Sequence, residues 1–366
     1  MSLSAGIIGL PNVGKSTLFN ALTRAQHAAV ANYPFCTIEP NHATVPVPDA
    51  RLEQIAAICK VPKTIPATVD YYVIAGLVRG ASKGEGLGNK FLANIREVDA
   101  LLHVVRCFED EDVVHVEGSA DPVRDIGIVE TELLLADIET LAKRIERVGK
   151  QARIDKELRK EVDAMELLRQ HLDAAKPAAG FPRAEAGPIL PALAELQLLT
   201  DKRTIFCANV GEGDLAAANP QVEQVRQHAA RVGADVIVIS ARMEADLAGL
   251  SDAERSEFLG SYGLKESGLD QAARMAYHTL GLVSFFTHND AEAHAWTVRC
   301  GWRAPRAAGV IHTDFERGFI RAEVVAFADY VRLGGEGACR TAGVLRVEGK
   351  EYIVQDGDVI HFLCNA

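Results

Sequence analysis

The sequence predicts an α/β protein: a mostly parallel, doubly wound sheet, interrupted by a helical hairpin and followed by a smaller β-rich α+β unit. Three observations predict it. A G-x-x-x-x-G-K-S run, from Gly9 to Ser16, lies between a short apolar stretch and a helical one. Strand-like and helix-like segments alternate up to about residue 106 and again from residue 201, which argues for parallel strands with crossover helices. Between these halves, apolar residues recur at alternating spacings of four and three, the period of paired helices.

The first element is a strand at residues 5–9. The run from Gly9 to Ser16 then reads as a phosphate-binding loop. Gly9 and Gly14 let the backbone turn its N–H groups towards phosphate oxygens. Lys15 brings a cation to the β and γ phosphates, and Ser16 offers a hydroxyl to Mg²⁺. A helix over 16–25 points its N-terminus at the same anion. Asn12, Val13, Gly14, Lys15, Ser16 and Thr17 are therefore the expected phosphate-binding residues, with Lys15 also catalytic.

Residues 32–40 hold two prolines and no helical period, so they read as a loop. Thr37 in this loop is a candidate second hydroxyl for Mg²⁺. A helix is expected at 51–59 and a strand at 69–74. Just beyond, Gly76 is expected to place its N–H near the γ-phosphate. The Gly-rich residues 81–88 are either a flexible surface loop or part of a γ-phosphate sensor. A helix at 89–97 and a strand at 101–105 complete this half.

From 126 to 172, Leu134, Ile138, Leu141, Ile145 and Val148 recur with heptad-like spacing. After a break at 149–154, Leu158, Val162, Met165, Leu168 and Leu172 continue it. This pattern is an antiparallel helical hairpin or two surface helices. Lys150, Arg153, Lys156, Arg159 and Lys160 gather near the turn, as a solvated face or as a contact for an anionic partner. The Pro/Ala/Gly-rich residues 174–194 read as a return linker. Strands at 203–209 and 234–240 then flank a helix at 220–232, so the hairpin interrupts one domain. The expected division is 1–125 and 201–281 for that domain, 126–200 for the hairpin and linker, and 282–366 for the last unit.

Two strand ends carry base chemistry. One is Asn209-Val210-Gly211-Glu212 and the other is Ser240-Ala241-Arg242. GTP-binding P-loop proteins read N-K-x-D at the first place, where Asp accepts hydrogen bonds from the guanine N1 and N2 edge. Here Val replaces Lys and Glu replaces Asp. The added methylene moves the carboxylate, and adenine offers an N6 donor without an N2 amine. A mismatch that leaves buried polar groups unpaired costs about 1–3 kcal/mol, enough to switch preference towards ATP. Asn209, Val210, Glu212, Ser240 and Ala241 are the expected base-site residues.

The last unit shows short strands at 283–287, 293–298, 319–326, 345–347, 352–354 and 359–362, separated by turn signals. His312 and His361 read as packing or partner residues, since neither has metal partners nearby in sequence. The net charge of −11 argues against non-specific nucleic-acid binding. No apolar run is long enough to span a bilayer, and the N-terminus enters a strand at once, so neither a membrane span nor a signal peptide is expected. Seven scattered cysteines without a C-x-x-C pair suggest reduced thiols in the cytoplasm.

With these residues in view, the chain resembles the YchF, or Obg-like ATPase, family of P-loop proteins along nearly its full length. The motifs are Gly9-Leu10-Pro11-Asn12-Val13-Gly14-Lys15-Ser16-Thr17, Pro34-Phe35-Cys36-Thr37-Ile38-Glu39-Pro40, residues 80–89, Asn209-Val210-Gly211-Glu212 and residues 308–318. The resemblance implies a P-loop NTPase G domain with an inserted coiled-coil hairpin and a C-terminal TGS domain. It also implies ATP in preference to GTP, Mg²⁺ as cofactor and association with ribosomes; a cytoplasmic monomer is expected. Thr37 matches the family's switch Mg²⁺ ligand, and Asn209 with Glu212 matches its adenine-accommodating base motif.

Leu77 stands where Ras-like proteins place the Gln that orients attacking water, and an apolar side chain cannot do that. His115 matches the loop histidine to which the family's resemblance assigns that role; the other reading is a surface-loop histidine. Val73 departs from the pattern. The family reads Asp there, which helps hold Mg²⁺ through bound water, and valine has no oxygen to offer. Asp70, three residues earlier, faces the opposite side of a regular strand and cannot substitute without a bulge. Besides an ATPase, the sequence therefore leaves open a nucleotide-dependent ribosome-binding factor with little hydrolysis, and a GTPase.

Overall fold

A computed structural model describes residues 4–30, 41–74, 87–110, 113–215 and 218–365. Within them lie two six-stranded sheets. The first uses β1 (Ser4–Ile8), β2 (His42–Pro46), β4 (Thr68–Val73), β5 (Ala100–Arg106), β6 (Arg203–Asn209) and β7 (Asp235–Ile239), while β3 (Lys63–Ile65) leaves it for the second. Its order is β2-β4-β1-β5-β6-β7. Only the edge strand β2 runs antiparallel.

Every residue of β1 and β5 is buried, and Ile205–Asn209 of β6 as well. Strands covered on both faces read as continuous apolar runs, which is why they show no alternation in sequence. β1 sits between β4 and β5, so the loop that follows it opens at the middle of the sheet's carboxyl edge. From that loop rises α1 (Lys15–Val30), which packs beside the helix Ala241–Leu247; Arg24 Nη1 donates to the Ala245 carbonyl at 3.2 Å. Next come α2 (Ala50–Cys59), capped by Asp49, and α3 (Leu87–Glu97).

The hairpin is two helices. α4 (Pro122–Gly149) begins at Asp121, whose carboxylate accepts the Arg124 amide, with Pro122 in the first turn. α5 (Lys156–Asp173) begins at Asp155, which caps the Glu157 and Leu158 amides. Leu141, Met165, Leu168 and Leu172 are fully buried in the seam, and Leu134, Ile138, Ile145 and Val162 pack partly buried around them. The expected linker at 174–194 is instead part of this core. It folds into short helical turns (Ala178–Gly180, Arg183–Ala186, Gly187–Ile189, Leu190–Leu196) and buries Ala178, Phe181, Ala186 and Ile189. Two helices alone leave their apolar stripes half open. The prolines and glycines break the helical period, but the apolar residues between them close that side.

The second sheet adds β8 (Leu282–His288), β9 (Glu292–Arg299), β10 (Phe319–Ala326), β11 (Arg346–Glu348) and β12 (Asp358–Cys364), in the order β11-β10-β12-β8-β9-β3. The strand expected at 352–354 does not form. Ile353 makes a single bridge to Arg303, and the Tyr352 carbonyl accepts the Ala304 amide at the start of the helix Ala304–Ile311. One face of the sheet packs Phe285, Val298, Ala322 and Val324 against Ala304, Ala307 and Ala308 of that helix. On the other face, Phe286, Ala295, Val325 and Val359 join one continuous core with Leu52 and Ile55 of α2 and the first sheet. β3 pairs with β9, and Arg51 bridges Asp49 and Asp356, so the two sheets are tied by backbone, ion pair and core alike. The six described cysteines are free thiols, and no described helix is long and apolar enough to cross a membrane.

One polar residue secures the root of the hairpin. Asp137 of α4 is fully buried and accepts the Leu199 amide (2.8 Å), the Thr200 amide (2.8 Å) and the Thr200 hydroxyl (2.7 Å). Burial raises its carboxyl above the usual range, and the three donors oppose that. Asp137→Ala strands two buried amides. It is expected to cost about 2–4 kcal/mol, read as a lowered midpoint in thermal or urea unfolding.

Candidate nucleotide site

The loop after β1 is shaped by two glycines that no other residue can replace. Gly9 has φ +143°, and a Cβ there would lie 2.4 Å from the Val104 carbonyl oxygen of β5. Gly14 has φ +101°, and a Cβ there would lie 2.2 Å from Nδ2 of Asn209. Asn12 between them sits at φ +60°, a region asparagine tolerates. The loop is thus pressed on one side against β5 and on the other against the end of β6.

Asn209 fastens the second contact. It is buried, its Nδ2 donates to the Val13 carbonyl at 2.9 Å, and its Oδ1 accepts the Ala241 amide at 2.9 Å. The residue expected at the base thus also braces the phosphate loop against the β7 turn. Ser240 is buried and caps the next helix by accepting the Met243 amide, while Val13, Val210 and Ala241 are apolar packing beneath the cleft. Glu212 is half-buried at the rim, 3.4 Å from the Nε of the exposed Arg242.

Lys15 is buried beneath the loop, where its Nζ donates to the Leu10 carbonyl at 2.6 Å. Among the described residues its hydrogen-bond partner is that carbonyl and no carboxylate, and burial lowers its pKa from 10.5 to about 8. Ser16 and Thr17 are exposed on the first turn of α1 and line the same cavity. That cavity is about 710 Å³, within the range of small-molecule sites. Its walls are the loop, the ends of β6 and β7 as far as Arg242 and, unexpectedly from the sequence, Phe108, Glu109, Asp110 and Val113.

The wall after β5 is set by Arg106, which is buried. Its guanidinium donates to the carbonyls of Phe108 (3.2 Å), Asp110 (3.1 Å) and Val113 (2.8 Å) and lies over the Phe108 ring. A lone cation ending a seven-residue apolar strand was the available signal for this role. One residue beyond Val113, the Val114 carbonyl accepts a hydrogen bond from Asn12 Nδ2 at 3.1 Å. His115 itself does not line the cavity. It is buried with Nε2 2.7 Å from Asp125 Oδ2, and its Nδ1 accepts the Glu117 amide at 3.0 Å.

Among the described residues no cluster of three His, Cys, Asp or Glu side chains has metal-binding geometry. Ser16, whose hydroxyl is exposed in the cavity, is the described residue that could hold a magnesium ion brought in with a nucleotide. Val73 packs half-buried against the core and supplies no oxygen. Asp70 is buried, accepts the Thr44 hydroxyl at 2.6 Å and lies 3.1 Å from His42 Nε2; β4 holds regular register with β1 and β2 across it. The bulge that would turn Asp70 towards the metal is absent. Thr37, Gly76, Leu77 and residues 81–86 lie outside the described residues.

Phosphate oxygens placed around Lys15 would restore its proton, so binding in alkaline solution would take one up. Nucleotide affinity is therefore expected to hold steady below about pH 7.5 and to fall above about pH 8, by up to roughly tenfold per pH unit. Equilibrium titrations between about pH 7 and pH 9.5 measure this; a flat profile would contradict it.

Comparison with known proteins agrees with this fold. A family model described as a 50S ribosome-binding GTPase matches residues 4–155, and the YchF C-terminal model, described as a protein of unknown function, matches 282–365. Proteins named ribosome-binding ATPase YchF from Bacillus subtilis and Haemophilus influenzae are 49% and 51% identical, over 100% of both chains. The solved structure of the Schizosaccharomyces pombe YchF GTPase superposes with a TM-score of 0.89 at 37% identity, covering 99% of this chain and 98% of the other.

Proposed function

This chain belongs to the YchF family of P-loop proteins, and we propose that it is a cytoplasmic, Mg²⁺-dependent ATPase that associates with ribosomes and signals its nucleotide state to them. The observation that carries the choice of nucleotide is the base rim. Asn209 is consumed by bracing the loop, and of the carboxylates that line the cavity, Glu109, Asp110 and Glu212, it is Glu212 that follows Asn209 at the end of β6. A carboxylate there accepts from the adenine N6 amine. The guanine edge presents N1 and N2 donors that call for a shorter acid, and Val210 is buried and offers no aliphatic stem to lie on the base.

In the proposed reaction the amides of residues 12–17 and Lys15 hold the β and γ phosphates. Ser16 and Thr37 hold Mg²⁺, which when bound offsets charge between those phosphates. Gly76 meets the γ-phosphate, and His115 orients the attacking water. The proposed division assigns 1–125 and 201–281 to the nucleotide domain, 126–200 to the hairpin and 282–366 to the TGS domain. The relatives' names support the ribosome as partner. The test is single-turnover hydrolysis of ATP with GTP as competitor, followed by pelleting with ribosomes in ATP and ADP. ATP should be hydrolysed and GTP should compete poorly, and pelleting should differ between the two states; a guanine preference refutes the role given to Glu212.

A second reading, a ribosome-binding factor with slow hydrolysis, is favoured by Val73. Without an oxygen at this position, metal affinity and turnover should be lower than in a relative with Asp. Val73→Asp is expected to raise Mg²⁺-dependent turnover by about tenfold and to lower the Mg²⁺ concentration for half-maximal rate, since a water-mediated metal contact is worth about 1–2 kcal/mol. No increase would remove Val73 as the cause of slow turnover.

A further inference from the structure

A second cavity shares no lining residue with the nucleotide cleft. It is about 680 Å³, a size that suits a small molecule. Its floor is a single row across three strands: Ile8 of β1, His103 of β5 and Phe206 of β6. Leu133 and Leu134 of α4 form one wall, and Leu199 and Thr200 form the next. Both walls are preformed. Leu133 packs in the shared core, and Asp137 holds the Leu199 and Thr200 amides. The helix Pro220–Val232 closes the third side with His228, Arg231 and Val232.

His103 is the polar group of that floor. It is 3% exposed, and among the described residues its ring has an aromatic neighbour, Phe206 at 5.5 Å, but no hydrogen bond. Burial, with His228 and Lys15 nearby, lowers its pKa from 6.5 to about 3. The ring is therefore neutral near pH 7, with one nitrogen a donor and the other an acceptor. A buried polar ring without a hydrogen bond is costly, and a ligand that supplies one removes that cost. The rim adds charge. Lys202, Arg203 and Arg231 stand there with two carboxylates, Glu130 and Asp235. Both acids are engaged: Glu130 lies 2.9 Å from His228 Nε2, and Asp235 accepts the Thr279 hydroxyl at 3.0 Å. Among the described residues the three cations bond main-chain carbonyls instead: Lys202 those of Arg96 and Val98, Arg203 that of Thr279 and Arg231 that of Gln227. Each arginine thus commits one of its five N–H donors. One positive charge is in excess at the rim, which suits a single anionic group and not a polyphosphate. Beside Arg231, Val232 is 46% exposed and extends the apolar lining to the mouth.

We propose that this cavity is a second binding site, for a small molecule with a flat apolar body and one anionic head. The head meets Arg203 and Arg231 at the mouth. The body lies between Leu134 and the Phe206 row, and its polar edge bonds the His103 ring. The proposal stands apart from the nucleotide reading, because the two cavities have no residue in common.

The probe is anilinonaphthalene sulfonate, which has this form and fluoresces when it leaves water. It is titrated against the full chain in saturating ADP, so that the nucleotide cleft is filled. Saturable binding of one probe per chain is expected. Thr204 lines the cavity half-buried on β6, where an aromatic side chain suits the strand, so Thr204→Trp fills the space. It should weaken the probe by more than about tenfold, since an overfilled site excludes its ligand. Arg231→Glu, on the exposed face of its helix, should weaken it by about fivefold through reversed charge. His103→Phe keeps the shape and loses the hydrogen bond, and should cost about fivefold. Thermal unfolding checks that each variant is folded, and the exposed Arg231 keeps the test open if Thr204→Trp is not. Binding that does not saturate, or unchanged affinity in folded Thr204→Trp or in Arg231→Glu, overturns the site. Unchanged affinity in His103→Phe overturns the part given to that ring.

Discussion

The space between residue 14 and residue 209 is the constraint on which the rest of the site depends. A Cβ on Gly14 would occupy the place of the Asn209 carboxamide. That carboxamide in turn satisfies a carbonyl of the phosphate loop and an amide after β7, across 196 and 32 residues of sequence. The loop cannot take its shape without glycine, and the glycine has no tight neighbour without Asn209. One side chain thus sets the width of the phosphate seat and its distance from the base rim. The buried seat also explains Lys15. Taken out of water and bonded, among the described residues, to a carbonyl, its ammonium would gain from an arriving phosphate.

A second constraint is that neither sheet closes its own core. The parallel sheet exposes an apolar flank that α2 covers, and α2 carries its other side into the second sheet through Leu52 and Ile55. β3, drawn from the N-terminal half, completes the second sheet's edge beside β9. Tyr330 links Cys59 of α2 to His288 of β8 by hydrogen bonds of 3.0 and 2.9 Å. The hairpin is built differently. It owns a separate core with Phe181 and Ile189, and Asp137 pins its root to residues 199–200. The first half of α4 stays in the shared core through Ile128, Val129, Leu133 and Ala136, so the hairpin has a core of its own only beyond that root.

Much of the fold was legible because short-range spacing encodes it. The run from Gly9 to Ser16 needs two positive-φ glycines at fixed separation, and they stand at φ +143° and +101°. Heptad spacing over 134–148 and 158–172 specified the seam that Leu141, Met165 and Leu168 fill. The strand ends at Asn209 and Ser240 were likewise marked by the change from apolar run to polar residue. The regular register of β4 bears out the view that Asp70 cannot turn towards the place of Val73. Residues 174–194 were misread as a linker because prolines and glycines hide a period without removing the apolar side chains.

The sequence by itself determined the phosphate loop, the strand–helix alternation of the parallel sheet and the hairpin, since each is written within a dozen or so neighbouring residues. Only the tertiary structure decided that Asn209 braces the loop, that Arg106 builds a wall of the cleft, that β3 changes sheets and that His115 is bonded to Asp125. The physical reason is the same in each case. A hydrogen-bond donor or a strand edge states in sequence that it needs a partner, but which partner it meets is set by how distant segments pack, and packing has no local period to read.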